Sequence, residues 1–505
     1  MGPVVTELPD GTSRLARQSR LRRAAQRRRR FYILTGLSTL VPGAGLLLTR
    51  LRRVGVVIVG VTLVAGAALV VALLAGGVVD TALTVAVSPQ LLTVALVALV
   101  LVGLAWSGAI LVTAGQTRPA DGRGALLRPA FVLACVAAVV TPLAYVGRDL
   151  SVQRSVVTEV FQPTVVAGST PIATSGSEDP WAGTPRVNIL LVGSDAGTDR
   201  WGVRTDSMMV ASINTKTGDT VLIGVPRNLE NVPIPQDNPL STLYPNGYNC
   251  GDQCLMNGIW TLAVDHRDLF GKDTNPGLTS TRQVLEAVLG LTIKRSVVID
   301  LRGFQSLVNA MGGVDITVRE RVCVGCKSDG YGGIIWSTST HQWIEKGPQH
   351  LNGYLALWYA RSRATSDDFS RMRRQRCVAG ALISQVNAAT MVRRYPQLAD
   401  ALKKNVYTDI TQAELPAWVD LIGRVQSGTI RSLPITDTVT PPGNPDFAKI
   451  RALVKTALKG KVATSAPSTT PSPTGTSTSG GTKRTPGASP SAPADDSLSS
   501  LTASC

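Results

Sequence analysis

Six arginines fall between positions 361 and 376, within Tyr359-Ala360-Arg361-Ser362-Arg363 and Asp368-Phe369-Ser370-Arg371-Met372-Arg373-Arg374-Gln375-Arg376. A guanidinium is a planar fork of N–H donors that grips a phosphate bidentately and keeps its charge. Two further arginines stand at the ends of β-forming runs: Arg204 before Thr205-Asp206-Ser207, and Arg227 after Val225-Pro226. Asp195 follows the run Asn188–Ser194, and Asp206 opens the next. Two carboxylates at strand ends can share one Mg²⁺ (or Mn²⁺), a hard cation that takes oxygen ligands and keeps waters for phosphate oxygens. Each feature alone has a plain reading: a strand-end Asp is commonly a turn residue, and an Arg-rich helix a solvated face. His266, His341 and His350 are the only histidines, which leaves little room for histidine-based metal or triad chemistry. The indicated chemistry is neutralisation of phosphate charge.

Helical spacing adds a second element. Arg371, Gln375, Val378, Leu382 and Val386 fall at i, i+4, i+7, i+11 and i+15, so one stripe passes from cationic to apolar. Such a stripe suits an amphiphile with an anionic head and a hydrocarbon tail; its apolar half is equally well an ordinary core face.

These residues need a scaffold. Val187–Val192 reads as a buried strand. Ser207–Ile213 and Thr220–Val225 flank Lys216-Thr217-Gly218-Asp219, a hairpin signal. Helices are predicted over 255–265, 280–289, 303–311, 352–360 and 367–388, with strands at Ser296–Ile299 and Val314–Val318. The alternation predicts an α/β (α+β) fold, a central mixed sheet flanked by helices.

The rest of the chain has a different character. It has 505 residues and a net charge of +17, with 39 Arg among its 51 Lys+Arg. Mean hydropathy is +0.15, high for a purely soluble protein. Residues 11–30 hold nine Arg and no acid, as in a juxtamembrane basic segment. Apolar stretches follow at 31–49, 54–77, 91–114 and 129–147. Arginines mark 50–53 and 115–128 as inside loops, whereas 78–90 has no Lys or Arg. The first stretch, with Pro42-Gly43 at its middle, is therefore expected to be re-entrant, leaving three spans and everything after about 148 outside. Residues 148–185 read as a stalk, 186–460 as the exported domain and 461–505 as a disordered Ser/Thr/Pro-rich tail. Six of the seven cysteines (Cys250, Cys254, Cys323, Cys326, Cys377 and Cys505) lie after 148, which suits disulfides; the competing reading is zinc, from the spacing of the first four. Connectivity is open beyond an expected Cys250–Cys254 pair.

Five ordered blocks resemble the LytR-CpsA-Psr family of cell-wall glycopolymer ligases: NILLVGSD (188–195), RTDSMMVASINTKTGDTVLIGVPRN (204–228), VVIDLRGFQSLVNAMGGVDITV (297–318), GPQHLNGYLALWYARSR (347–363) and DFSRMRRQ (368–375). The resemblance implies a mixed sheet, flanking helices and a hydrophobic pocket for a polyprenyl chain. It implies transfer of a glycopolymer from a polyprenyl-pyrophosphate carrier to peptidoglycan, leaving a phosphodiester link, on the extracellular face of the cell membrane. By position, Asp195 and Asp206 would hold Mg²⁺ (or Mn²⁺). Arg204, Arg227, Arg361, Arg363 and Asp206 would be catalytic. Arg227, Arg361, Arg363, Arg371, Arg374 and Gln375 would bind the pyrophosphate, and Val378, Leu382 and Val386 would wall the lipid pocket. Asn228 and Asn352 stand where the family usually has Asp, and Leu255-Met256-Asn257 where it usually has Lys-Ile-Asn. A polyprenyl-pyrophosphate pyrophosphatase would use the same site. A membrane-bound regulator or attenuator is a further alternative, although nucleic acid is not an expected partner because the arginine cluster lies outside. A wall anchor without catalysis would not need the carboxylates and arginines together.

Overall fold

The computed structural model describes residues 11–76, 85–119, 126–161, 180–194, 205–328, 334–336, 342–364, 366–385, 395–459 and 499–500. The chain divides into two units, Met1–Val157 and Thr158–Cys505.

The first unit is helical: α1 (Gly11–Leu40), α2 (Arg52–Gly76), α3 (Pro89–Thr117) and α4 (Leu127–Val160). Among the described residues α3 and α4 are long and apolar enough to cross a membrane. The turn after α1 passes through Pro42 and Gly43, which has φ 77°, into a short 3-10 segment, Ala44–Leu48. Ser38 and Thr113 hydroxyls bond at 2.9 Å, and Trp106 Nε1 donates to the Ser38 carbonyl at 3.0 Å. Small hydroxyl residues of this kind join apolar helices where water is scarce. α4 runs unbroken through 148–160, where composition suggested that a stalk begins; its helical hydrogen bonds continue past the apolar run.

In the second unit seven strands form one sheet: β1 (Arg186–Ser194), β2 (Thr205–Asn214), β3 (Thr220–Val225), β4 (Arg295–Asp300), β11 (Val406–Thr408), β12 (Ile430–Pro434) and β13 (Ser499–Ser500). Their order is β11-β4-β1-β2-β3-β12-β13. β1 runs parallel to β4 and β3 parallel to β12, while β1–β2 and β2–β3 are antiparallel hairpins, so the sheet is mixed as expected. Alternate residues of β2 face opposite sides. Met208 and Val210 join a core with Val284, Leu285 and Val288 of α6 (Pro276–Leu289), preceded by the short α5 (Ile259–Asp265). Met209 and Ala211 face Ala379 on the other side. That second side carries α7 (Leu301–Met311), α8 (Gly353–Arg361), α9 (Asp368–Gln385) and α10 (Tyr395–Asn405). α11 (Leu415–Ser427) and α12 (Phe447–Leu458) complete the unit.

Local chemistry sets the ends of the site-bearing helices. Asp300 accepts from Gly303 N at 2.6 Å and caps α7, which Gly312 ends at φ 100°. Asn352 caps α8 by accepting from Leu355 N at 3.0 Å. Gly353 lets α8 meet α7: a Cβ there would lie 2.1 Å from the Gln305 carbonyl oxygen. Between α7 and α8, β5 (Val314–Val318) pairs with β10 (Gly347–Leu351), and the short strands β6 (Val322–Val324), β7 (Cys326–Ser328), β8 (Ile334–Trp336) and β9 (Gln342–Ile344) form an insertion that sequence patterning did not indicate. Cys323 and Cys326 are disulfide-bonded at its base, and Cys250 and Cys254 form a second bridge. Cys377, buried on α9, is disulfide-bonded too.

Candidate active site

The polar end of the site begins at an irregularity in the sheet. Gly193 pairs with Ser207 and Ser194 with Thr205, so Asp206 is an extra residue with no opposite number. A bulge bends its strand and re-aims one side chain; here that side chain is the Asp206 carboxylate, at the lip of a cavity. Gly193 keeps the strands close, since a Cβ there would sit 3.1 Å from that of Ser207.

Arg227 leaves the end of β3, and its carbonyl accepts from Asn257 N at 3.0 Å, a residue just beyond the Cys250–Cys254 bridge. Its guanidinium lies between two acids. Nη1 donates to Asp206 Oδ1 at 3.1 Å, and Nε lies 3.5 Å from Asp368 Oδ1. Asp368, first residue of α9, also accepts from Arg371 Nη2 at 3.0 Å and lies 3.8 Å from Arg363 Nη1. One carboxylate thus gathers three guanidiniums. Ser207 Oγ donates to Gln375 Oε1 at 3.0 Å, joining β2 to α9.

Arg371 is 4% exposed. Burial pulls its pKa below the ordinary arginine value, and the Asp368 carboxylate opposes that shift. Among the described residues its Nε has no hydrogen-bond partner. A buried donor without an acceptor costs about 1–3 kcal/mol, a cost relieved when an anionic oxygen arrives.

The cavity behind these groups measures about 360 Å³. Asp206, Ser207, Arg361, Arg363, Arg371 and Gln375 line one part, together with Asp300. Leu191, Met209, Val297, Ile299, Phe304 and Leu307 line the rest from the sheet and α7, with Leu357, Val378, Leu382 and Leu402 from the helices. The stripe Arg371, Gln375, Val378, Leu382 therefore faces one space that passes from cationic to apolar. At about 0.8 kcal/mol per buried CH₂, such walls reward a hydrocarbon by roughly 4 kcal/mol per five-carbon unit.

Arg374 departs from its expected place beside the pyrophosphate. It is buried behind the α8–α9 elbow and is not among the cavity residues. Nε donates to the Tyr359 carbonyl at 2.7 Å, Nη2 to the Ser362 carbonyl, and Nη1 to Ser366 Oγ at 3.0 Å and Glu320 Oε1 at 3.4 Å. Burial lowers its pKa, with Glu320 opposing. It holds the elbow that presents Arg361 and Arg363. Ser362, between them, donates to the Cys323 carbonyl at 2.8 Å, tying the elbow to the disulfide-closed insertion.

Asp195, Arg204 and Val386 lie outside the described residues. Among the described residues no three His, Cys, Asp or Glu side chains gather as a metal cluster. Residue type alone does not single out Asp368; its i, i+3 spacing to Arg371 is the available signal. Ser207 and Asp300 carried none.

Residues 164–451 match the LytR_cpsA_psr family. The chain is 27% identical over 279 residues to the polyisoprenyl-teichoic acid–peptidoglycan teichoic acid transferase TagV of Bacillus subtilis, covering 53% of this chain and 63% of that one. It is 27% identical over 231 residues to the corresponding TagU transferase of Bacillus mycoides, covering 45% and 62%. The chain thus spans about six tenths of the length of these relatives. The crystal structure of B. subtilis TagV aligns with 54% of this chain and 96% of its own, at 26% identity and a TM-score of 0.38.

Proposed function

The chain belongs to the LytR_cpsA_psr family, and from that membership and its cavity we propose that it transfers a glycopolymer from a polyprenyl-pyrophosphate carrier to peptidoglycan. The observation that carries the reading is one cavity that joins Arg361, Arg363 and the buried, under-satisfied Nε–H of Arg371 to an apolar wall. A lipid diphosphate has that polarity and that order.

An acceptor sugar hydroxyl forms a P–O bond to the phosphorus bearing the glycopolymer. The bond from that phosphorus to the bridging oxygen breaks, the polyprenyl monophosphate leaves with the electron pair, and the hydroxyl proton is released. Phosphoryl transfer of this kind depends on positioning and charge neutralisation. Arg227, Arg361, Arg363 and Arg371 supply the cations; Asp368 and the elbow held by Arg374 orient them. Val378 and Leu382 hold the carrier's chain and fix the direction of the leaving group. Arg204 and Val386 are assigned to the same two tasks by sequence position.

Asp206 and Asp195 are the proposed holders of Mg²⁺ (or Mn²⁺). The donor chemistry fits, since the Asp206 carboxylate sits at the cavity lip with its side chain more than a third exposed. Bound there, the ion would add positive charge against the diphosphate oxygens.

In the cell this reading places 186–460 outside a multi-pass membrane region, with three spans, a re-entrant first segment and the 115–128 loop inside. An introduced cysteine at Ser88 should react with an impermeant reagent and one at Gly122 should not; the reverse labelling overturns the topology. The functional test is transfer of a labelled short glycan from a polyprenyl-pyrophosphate analogue to a peptidoglycan oligomer with Mg²⁺. Arg361→Ala should cost about 10²-fold or more and Asp195→Ala should abolish metal-dependent transfer. Unchanged transfer in Asp195→Ala rejects the mechanism. Phosphate release without a phosphodiester product assigns the same site to a pyrophosphatase.

A further inference from the structure

We propose that the exposed face of α8 built from Tyr354, Trp358 and Arg361 is a sugar-binding ledge that receives the acceptor glycan; this rests on the transfer reading above. The three residues fall at i, i+4 and i+7 and so share one helix face. The opposite face is core: Gly353, Ala356, Leu357 and Tyr359 are buried. Tyr354 is 46% exposed although its side chain is large and aromatic. Its ring meets Trp358 edge-on with centroids 6.4 Å apart. Trp358 is half-buried, its inner part packed against the core below α8. The Arg361 guanidinium then lies 5.2 Å from the Trp358 ring centroid, and Arg361 lines the cavity. The exposed Tyr354 ring and the half-buried Trp358 ring therefore lead along one helix face to Arg361 at the phosphate-binding end.

Aromatic faces exposed beside polar groups suit ligands that are apolar on one face and hydroxylated at the edge. A pyranose ring is such a ligand: its axial C–H groups stack on an indole or phenol while its hydroxyls stay wet. The direction of the chemistry selects the acceptor. In-line displacement puts the attacking oxygen opposite the leaving group. The leaving lipid phosphate points along the apolar cavity, so the attacking hydroxyl enters from the mouth, where the ledge begins. Stacking against Trp358 also keeps the Arg361 fork from swinging free, so sugar occupancy and phosphate neutralisation share one residue.

The experiment uses the full chain in detergent micelles with a peptidoglycan-backbone tetrasaccharide as probe and no lipid donor, read by saturation-transfer NMR. Wild type should bind, with the strongest transfer to the ring C–H protons. Tyr354→Ala and Trp358→Ala should weaken binding about tenfold or more, Trp358→Phe should restore most of it, and stabilisation by inorganic pyrophosphate should stay at the wild-type level in Tyr354→Ala. In the transfer assay Tyr354→Ala should raise the KM for acceptor with little change in kcat. Absence of tetrasaccharide binding in wild type, wild-type binding in both alanine variants, or a raised KM for the donor instead of the acceptor overturns the ledge. Tyr354-dependent sugar binding without any phosphodiester product would keep the ledge and reject the transfer reading.

Discussion

Asp368→Asn separates the roles of charge and shape at the centre of the site. The carboxylate has guanidinium nitrogens at 3.0, 3.5 and 3.8 Å. At an effective dielectric of about 20 each pair is worth roughly 4–6 kcal/mol gross, most of which desolvation cancels. Removing one partner of a fully buried pair costs about 3–5 kcal/mol. Arg363 is half exposed and Asp368 about a quarter, so solvent screening brings the expected loss to about 2–3 kcal/mol. For a domain of this size that lowers Tm by roughly 3–5 °C. The same change removes a negative charge that competes with the ligand for three arginines. Inorganic pyrophosphate should therefore stabilise the variant more than wild type, a tenfold gain in affinity adding about 1.4 kcal/mol at saturation. Transfer should nevertheless fall about 10²-fold, because the guanidiniums are no longer held in one geometry. Thermal unfolding of the full chain with and without pyrophosphate reads both effects. A Tm within a degree of wild type, together with an unchanged pyrophosphate response, would refute the reasoning.

Arg374→Met should cost about 3–5 kcal/mol, since it strips donors from the buried Tyr359 and Ser362 carbonyls, while donor KM in the remaining folded protein stays near wild type; a raised KM with wild-type Tm would return Arg374 to the ligand. Leu382→Trp should fill the apolar end of the cavity and lower transfer from long-chain donors at least about tenfold relative to short-chain ones; equal losses for both chain lengths would remove Leu382 from the lipid wall. Asp219 has its carboxyl pKa held below the ordinary 3.8 by the Thr429 N–H and the Thr217 hydroxyl. A depressed carboxylate contributes stability above its unfolded pKa and loses it as pH falls through the folded value. Asp219→Asn should therefore lower Tm at neutral pH and flatten the acid limb below about pH 4; parallel Tm–pH curves for variant and wild type would count against it.

The strands and the cationic-to-apolar stripe were legible because their signals are local. β1, β2 and β3 are β-branched and apolar runs split by turn residues, and alternation says which residues share a face. Arg371, Gln375, Val378 and Leu382 share a face by helical periodicity alone. That periodicity could not separate Arg371 from Arg374, which point only about 60° apart on a helix of 3.6 residues per turn. The difference is made by what each meets: Arg371 meets Asp368 and the cavity, whereas Arg374 meets carbonyls released by the end of α8. Arg227 reaches Asp368 across 141 positions, a pairing that exists only because β3 ends where α9 begins. The length of α4 past 148 and the β6–β9 insertion were hidden for a related reason, since polar helix turns and three-residue strands carry weak patterns of their own. Residue type and spacing determined which chemistry the chain could do; the direction of each charged side chain was decided by neighbours distant in sequence, because burial makes an ion's partner, more than its propensity, set where it can lie.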